Sequence, residues 1–274
     1  MSHVYSEAGP LARAHLLSER VFAATVRHVR RGHSNGIAAL LSNILQTLIF
    51  LGAFVLLYAF VPGMGAHAVR GDFVLFLITG IFLFMTHVKT VGAVAAADGP
   101  GSPMMTHAPM TTAVGLLAAA LSALYLQTFS VLIVLVGVHV AWHPVVIADP
   151  VGTALMLGLA WLTGVGVGTI LLAAKPWAPQ ATQVATQLYS RVNMILSGQM
   201  FLANALPGSV IVWFGWNPLF HAIDQARGYA FVNYSPHHTG WPYPAAAAIA
   251  LLVLGMMAEL YTRRRASLSW FAAR

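Results

Sequence analysis

The sequence predicts an all-α, polytopic membrane protein with six transmembrane helices, an N-terminal interfacial helix and a re-entrant helical segment before the last span. Three observations predict it. Of 274 residues, 58% are hydrophobic and only 8% are charged, whereas soluble domains carry roughly a quarter of their residues as Asp, Glu, Lys or Arg. Mean hydropathy is +0.75. The apolar residues also arrive in charge-poor blocks, and about 20 such residues cross the roughly 30 Å of bilayer hydrocarbon. No polar block stands apart, so one membrane domain is expected over 36–262, preceded by a cytosolic or interfacial helix in 1–35 and followed by a basic cytosolic tail, 263–274.

The first 31 residues hold Arg13, Arg20, Arg27, Arg30 and Arg31 and lack an apolar core with a cleavage site, so no signal peptide is expected. From Leu11 to Arg31, Leu16, Val21, Phe22 and Val26 interleave with the arginines, a pattern suited to a helix lying in the membrane interface. The first span runs from about Gly36 to Val61 and stops at Pro62-Gly63. The second, about Phe73 to Ala97, is interrupted only by Lys89. A third covers about Ala113 to Ala141, a fourth about Val151 to Ala174, and a fifth, about Ala181 to Ala203, contains Arg191. The sixth, about Pro244 to Tyr261, is followed by three arginines at 263–265.

Between Arg191 and Asp224 there is no charge, a stretch too long for one helix and broken at Pro207 and Pro218. It reads as a span followed by short helices that dip back into the membrane, which is tolerable where protein or water satisfies the free backbone groups. From Pro218 to Phe231 the pattern is amphipathic, with Asp224 and Arg227 near enough to pair. Six spans put both termini on one side. Most basic residues then share that side, and only Arg70 and Arg227 fall in the opposite loops, so both termini are expected in the cytosol.

Several chemistries are excluded or disfavoured by residue content. With no cysteine there is no disulfide and no thiolate metal site or nucleophile. The net charge of +7 gathers at the ends of a hydrophobic chain, which points to membrane orientation and not to nucleic acid. An ATP-binding loop of the form GxxxxGK[ST] needs a suitably placed lysine. The only two, Lys89 and Lys175, follow Val88 and Ala174, so ATP and its Mg would have to bind a partner, and no cofactor is expected on this chain. Gly164, Gly166 and Gly168 form a GxGxG run inside an apolar stretch, better suited to close helix packing than to a dinucleotide. No HExxH or GxSxG motif occurs, and neither a metal site nor catalysis is expected.

Four passages resemble the membrane permeases of type 2 ABC exporters, in the branch that exports capsular polysaccharide, O-antigen and polyol-phosphate polymers. They are RHVRRGHSNG at 27–36, GDFVLFLITG at 71–80, the loop DGPGSPMMTHAPMTT at 98–112, and SGQMFLANALP with WNPLFHAIDQARG at 197–228. The last is similar to the family's "SG.FF....LP" and "NPL.H.IE..R" signatures. The sequence departs from the family at Asn43, where Glu-Pro is common, and in the Gly, Pro and Met content of the 98–112 loop. The resemblance implies a permease of the bacterial inner membrane, two copies of which work with two ABC-type ATPase subunits to export a polysaccharide or lipid-linked glycan. Export of drugs or lipids by the same fold is the nearest alternative, and an ion-coupled carrier a more distant one.

The resemblance also implies site residues. Asp98, Gly99, Met104, Met105 and His107 would form the loop that couples to the ATPase. Lys89, Arg191, Trp213, Trp216, Asn217 and His221 are candidates for the translocation pathway, the charges because ionisable groups within spans are costly unless they face polar surroundings, and the rings because sugars stack on aromatics.

Overall fold

The computed structural model describes residues 10–30, 35–60, 72–99 and 111–272. Its regular elements are helical: α1 (Pro10–Val29), α2 (Gly36–Phe60), α3 (Phe73–Ala95), α4 (Thr112–Ala141), α5 (Pro150–Ala174), α6 (Pro179–Leu196), α7 (Gly208–Phe214), α8 (Pro218–Ala230) and α9 (Pro242–Ala272), with one 3-10 turn at Ala203–Ala205. Caps explain several of the starts. Asp72 accepts from the amides of Val74 and Leu75, Thr111 from Val114, and Asp149 from Gly152, each satisfying N–H groups that the first helical turn leaves free.

Five helices, α2, α3, α4, α5 and α9, are long and apolar enough to cross a membrane. The protein is therefore an all-helical, multi-pass membrane protein. The fifth expected span differs. It ends at Leu196 instead of Ala203, and it falls outside the apolar set because Gln180, Gln183, Gln187, Arg191 and Asn193 interrupt it. Its 18 residues still rise about 27 Å. The last span also differs from expectation, since α9 continues helically through the three arginines at 263–265.

At the centre lies α3, buried along most of its length from Leu75 to Val94. It packs on α5, α4 and α8, and α5 packs in turn on α9. The GxGxG run is what brings these helices close. A Cβ on Gly164 would lie 2.8 Å from the His87 carbonyl oxygen, one on Gly168 would lie 2.7 Å from Val94 Cβ, and one on Gly166 would lie 2.6 Å from Leu251 Cβ. Gly164 and Gly168 thus admit α3 on one side of α5 while Gly166 admits α9 on the other, as expected of small residues in membrane helix packing.

The N-terminal helix α1 lies on the start of α4, where Ala24 and Val21 meet Val114 and Ala118. Phe22 on α1 faces outward. The two ends of the bundle differ in charge. Lys175, Arg263, Arg264 and Arg265 share one end, tied together where Thr262 Oγ accepts from Trp177 Nε1 and donates to the Ala173 carbonyl. Asp72, Asp149 and Asp224 lie toward the other, where His143 stands 3.4 Å from Asp72 and the backbone of 148–149 pairs with that of 229–230.

Candidate functional site

The segment between α6 and α9 folds around one side chain. Arg227 is among the most completely buried residues of the protein. Its guanidinium donates to the carbonyls of Gly198 (2.9 Å), Phe201 (2.6 Å) and Gln199 (2.6 Å) and stacks 4.0 Å over the ring of Phe76. These carbonyls belong to the turn where the chain leaves α6, and Gly198 adopts a φ of +70° there, a conformation that favours glycine. Tyr58 of α2 donates to the Met200 carbonyl of the same turn. Gly80 leaves space for the clamp, since a Cβ there would sit 2.6 Å from both Arg227 Nη2 and the Gln199 carbonyl oxygen.

The expected Asp224–Arg227 pairing is corrected in form. Asp224 accepts from Tyr234 Oη (2.5 Å) and Thr239 Oγ (2.7 Å), and it influences Arg227 through its charge without a direct bridge. Burial pulls the guanidinium down to about 10 and the Asp224 charge opposes that, so Arg227 remains a cation at neutral pH. The Tyr234 hydroxyl, first by burial and then by the neighbouring Asp224 carboxylate, is pushed well above its ordinary range. α8 looks amphipathic in sequence, yet both of its faces are buried, because its polar face meets the carbonyl-rich turn and the 231–240 loop instead of water.

The expected pathway residues divide into two groups. Asn217 and His221 are buried and their polar atoms are engaged in holding the fold. Asn217 caps α8 and donates to Asn193 Oδ1 and the Leu196 carbonyl, both at 3.0 Å, which joins α8 to the end of α6. His221 Nδ1 accepts from the Gly240 amide and Nε2 donates to the Gly215 carbonyl at 2.8 Å, so the ring is the neutral Nε2–H form. Trp213 and Trp216 point outward, at 72% and 58% exposure.

Arg191 and Lys89 form the second group. On α6, Gln180, Gln183, Gln187 and Arg191 are all exposed at intervals of three or four residues, which makes a polar stripe along the helix. Arg191 forms no hydrogen bond or ion pair with any described residue. Its neighbours Thr182, Thr186 and Ser190 return their hydroxyls to their own helix, each to the carbonyl four residues back. A groove of about 470 Å³ runs between this helix and α3, lined by Gly92, Ala96, Lys175, Gln180, Gln183 and Gln187. Lys89, three residues before Gly92, does not reach for the helix end but donates to Asn43 Oδ1 on α2.

The coupling-loop residues are only partly covered. Asp98 and Gly99 follow α3, and Gly99 is buried against Leu172. Met104, Met105 and His107 lie outside the described residues. Lys175 donates to the carbonyls of Ala96 and Ala97, at 3.4 and 3.2 Å, holding the end of α3 beside the start of this loop.

Sequence reasoning missed His87. It is fully buried, with Nδ1 3.0 Å from the Ala160 carbonyl and 3.1 Å from Thr163 Oγ, and Nε2 2.8 Å from Tyr189 Oη, so it links α3, α5 and α6. It also missed the buried cluster around Asn43, which includes Gln127 and Ser130. The available signal was the same in each case, a lone polar residue inside an otherwise apolar span.

No protein-family model matches the chain, and no curated protein matches it either.

Proposed function

We propose that the chain is the transmembrane subunit of an ATP-driven exporter, working as two copies with two ABC-type ATPase subunits to move a polysaccharide or lipid-linked glycan out across the bacterial inner membrane. The observation that carries this reading is the exposed polar stripe of α6, ending in Arg191. An arginine facing lipid costs about 2.5 to 3.5 kcal/mol at a span's centre on the insertion scale and less toward its end. Arg191 lies five residues before the end of α6, so a stripe of this kind still favours water, cargo or a second copy beside it. A helix that lines half of a pathway meets that need once a second subunit closes the other half.

The resemblance of 197–228 and 71–80 to the polymer-exporting permeases points the same way. Arg227, Gly198 and Gly80, which those passages supply, form one clamp. The chain brings no nucleotide-binding loop of its own, so energy must enter at a cytosolic contact, and the loop that follows Gly99 is the expected place. Glutamine amides along the α6 groove suit hydroxyl-rich cargo, since each both donates and accepts.

Deleting the gene in its native cell tests the reading. Surface polysaccharide should disappear while lipid-linked polymer accumulates inside, and the intact gene on a plasmid should restore export. Unchanged surface glycan with new sensitivity to toxic amphiphiles would instead favour the drug or lipid alternative.

A further inference from the structure

We propose that Lys89, Asn43 and Gln127 form an anion-binding site within the helix bundle, built to take the oxygens of a phosphate group. The proposal rests on the hydrogen bonds at this site and on the membrane placement of the helices, and it stands whichever cargo the chain carries.

Asn43 on α2 is the hub. Its Oδ1 accepts from the Lys89 ammonium of α3, while its Nδ2 donates to Gln127 Oε1 (2.8 Å) and Ser130 Oγ (2.6 Å) of α4. Ser130 donates onward to the Leu126 carbonyl at 2.7 Å. The lysine fixes the amide's orientation, because a flipped Asn43 would turn its NH₂ group against an ammonium that can only donate. Each side-chain oxygen in the cluster therefore already accepts a hydrogen bond, and what remains is an excess of donors. Gln127 Nε2 is left with no partner although Gln127 is only 1% exposed. Lys89 has further N–H groups beyond the one given to Asn43.

The charge is uncompensated as well. Among the described residues, ion pairs join Glu19 with His15, Asp72 with His143 and Glu259 with Arg263, and none reaches Lys89. A cation at this depth with no counter-ion and an orphaned amide beside it is costly. A ligand that carries negative charge and several acceptor oxygens removes both deficits at once, and a phosphate monoester or diester has both properties.

Lys89 keeps partial exposure, and Gly92, one turn along α3, has nothing within 4 Å of its Cβ position and lines the groove beside α6. The His87–Tyr189 contact sets the register of α3 against the antiparallel α6. It places Arg191 about 6 Å along the helix axis from Lys89. Lys89 is six residues from the end of α3, or about 9 Å, within reach of a headgroup entering from the adjacent leaflet. The phosphate could therefore come from an anionic phospholipid or from a soluble phosphate ester.

The test uses the full chain purified in neutral detergent, with melting temperature and native mass spectrometry as readouts. The probes are phosphatidylglycerol, the phosphate-free lipid diacylglycerol and glycerol 1-phosphate. Phosphatidylglycerol is expected to raise the melting temperature and remain bound, diacylglycerol to do neither. Lys89→Met should lose the response, and Arg263→Met, which removes a cation at the bundle end outside the groove, should keep it. Gln127→Glu supplies a counter-ion of the same shape, so it should raise the melting temperature without lipid and abolish the added response. That variant decides the matter if Lys89→Met does not fold. A response to glycerol 1-phosphate too would mark a general phosphate site, and one to the lipid alone would mark a headgroup site. No response in the unaltered chain, or one that persists undiminished in Gln127→Glu, would reduce the cluster to a hydrogen-bonded link between helices.

Discussion

At the scale of single residues, the turn after α6 depends on what Arg227 can reach. Three carbonyls of one turn converge on one guanidinium, and its planar fork is what allows a single side chain to serve them all. Gly80 belongs to the same unit, because any Cβ there would press on Arg227 and on the backbone of Gln199. Gly80→Ala should therefore lower stability by about 1 to 3 kcal/mol, the usual cost of overpacking. Arg227→Met should lower it by more, since each buried group left unsatisfied costs about 1 to 3 kcal/mol. The two changes damage the same contact, so the double variant should lose less than the sum of the singles in thermal unfolding. Gly92→Ala, where a Cβ meets nothing within 4 Å, is the control and should melt like the unaltered chain. Strict additivity of Gly80→Ala and Arg227→Met would mean that the clamp is not one unit.

At the scale of helices, what the sequence reveals depends on whether a pattern reports packing or partnership. Four of the five apolar spans begin within one residue of their expected positions, and α9 within two, because hydrocarbon thickness imposes a length and Pro, Gly and charge mark the ends. The GxGxG run also reads correctly as a packing face, since only small residues allow the separations found at Gly164, Gly166 and Gly168. α8 was harder to read. Alternation of polar and apolar residues identifies two faces, but not that the polar one is buried against its own chain, which depends on where the 197–201 turn folds back. Asn43 and Gln127 are 84 positions apart in the chain, and no local pattern predicts their contact. α6 shows the converse. In sequence it reads only as a span holding Arg191, and in the fold Gln180, Gln183, Gln187 and Arg191 form a polar stripe that is left exposed. Arg191→Met should then leave the melting temperature nearly unchanged, because Arg191 has no partner to lose among the described residues. If the proposed function holds, export normalised to the amount of this chain in the membrane should fall by about tenfold or more, the equivalent of losing roughly 1.4 kcal/mol of favourable interaction with cargo. Loss of the protein itself would identify Arg191 as a structural residue, and unimpaired export would remove it from the pathway.

At the scale of the whole molecule, charge is distributed so that orientation follows. The start of α6, the end of α5 and the arginine run of α9 meet at one end of the bundle, joined through Thr262, Trp177 and the Ala173 carbonyl. The segment after α3 comes to the same end, where Lys175 holds the carbonyls of Ala96 and Ala97. Asp72, Asp149 and Asp224 lie toward the opposite end, and the lone described arginine there, Arg227, is buried and so contributes no exposed positive charge. Excess Lys and Arg remain on the cytosolic side during insertion. The Lys175 end should therefore face the cytosol and the 231–240 loop should face outward. Because the chain has no cysteine, single reporters can be introduced on a silent background. Gln180 and His238 are both exposed and stand at opposite ends. In intact cells a membrane-impermeant maleimide should label His238→Cys and spare Gln180→Cys, and opening the membrane should make both react. Labelling of Gln180→Cys alone in intact cells would invert the orientation, and with it the side from which an ATPase partner could engage the loop after Gly99.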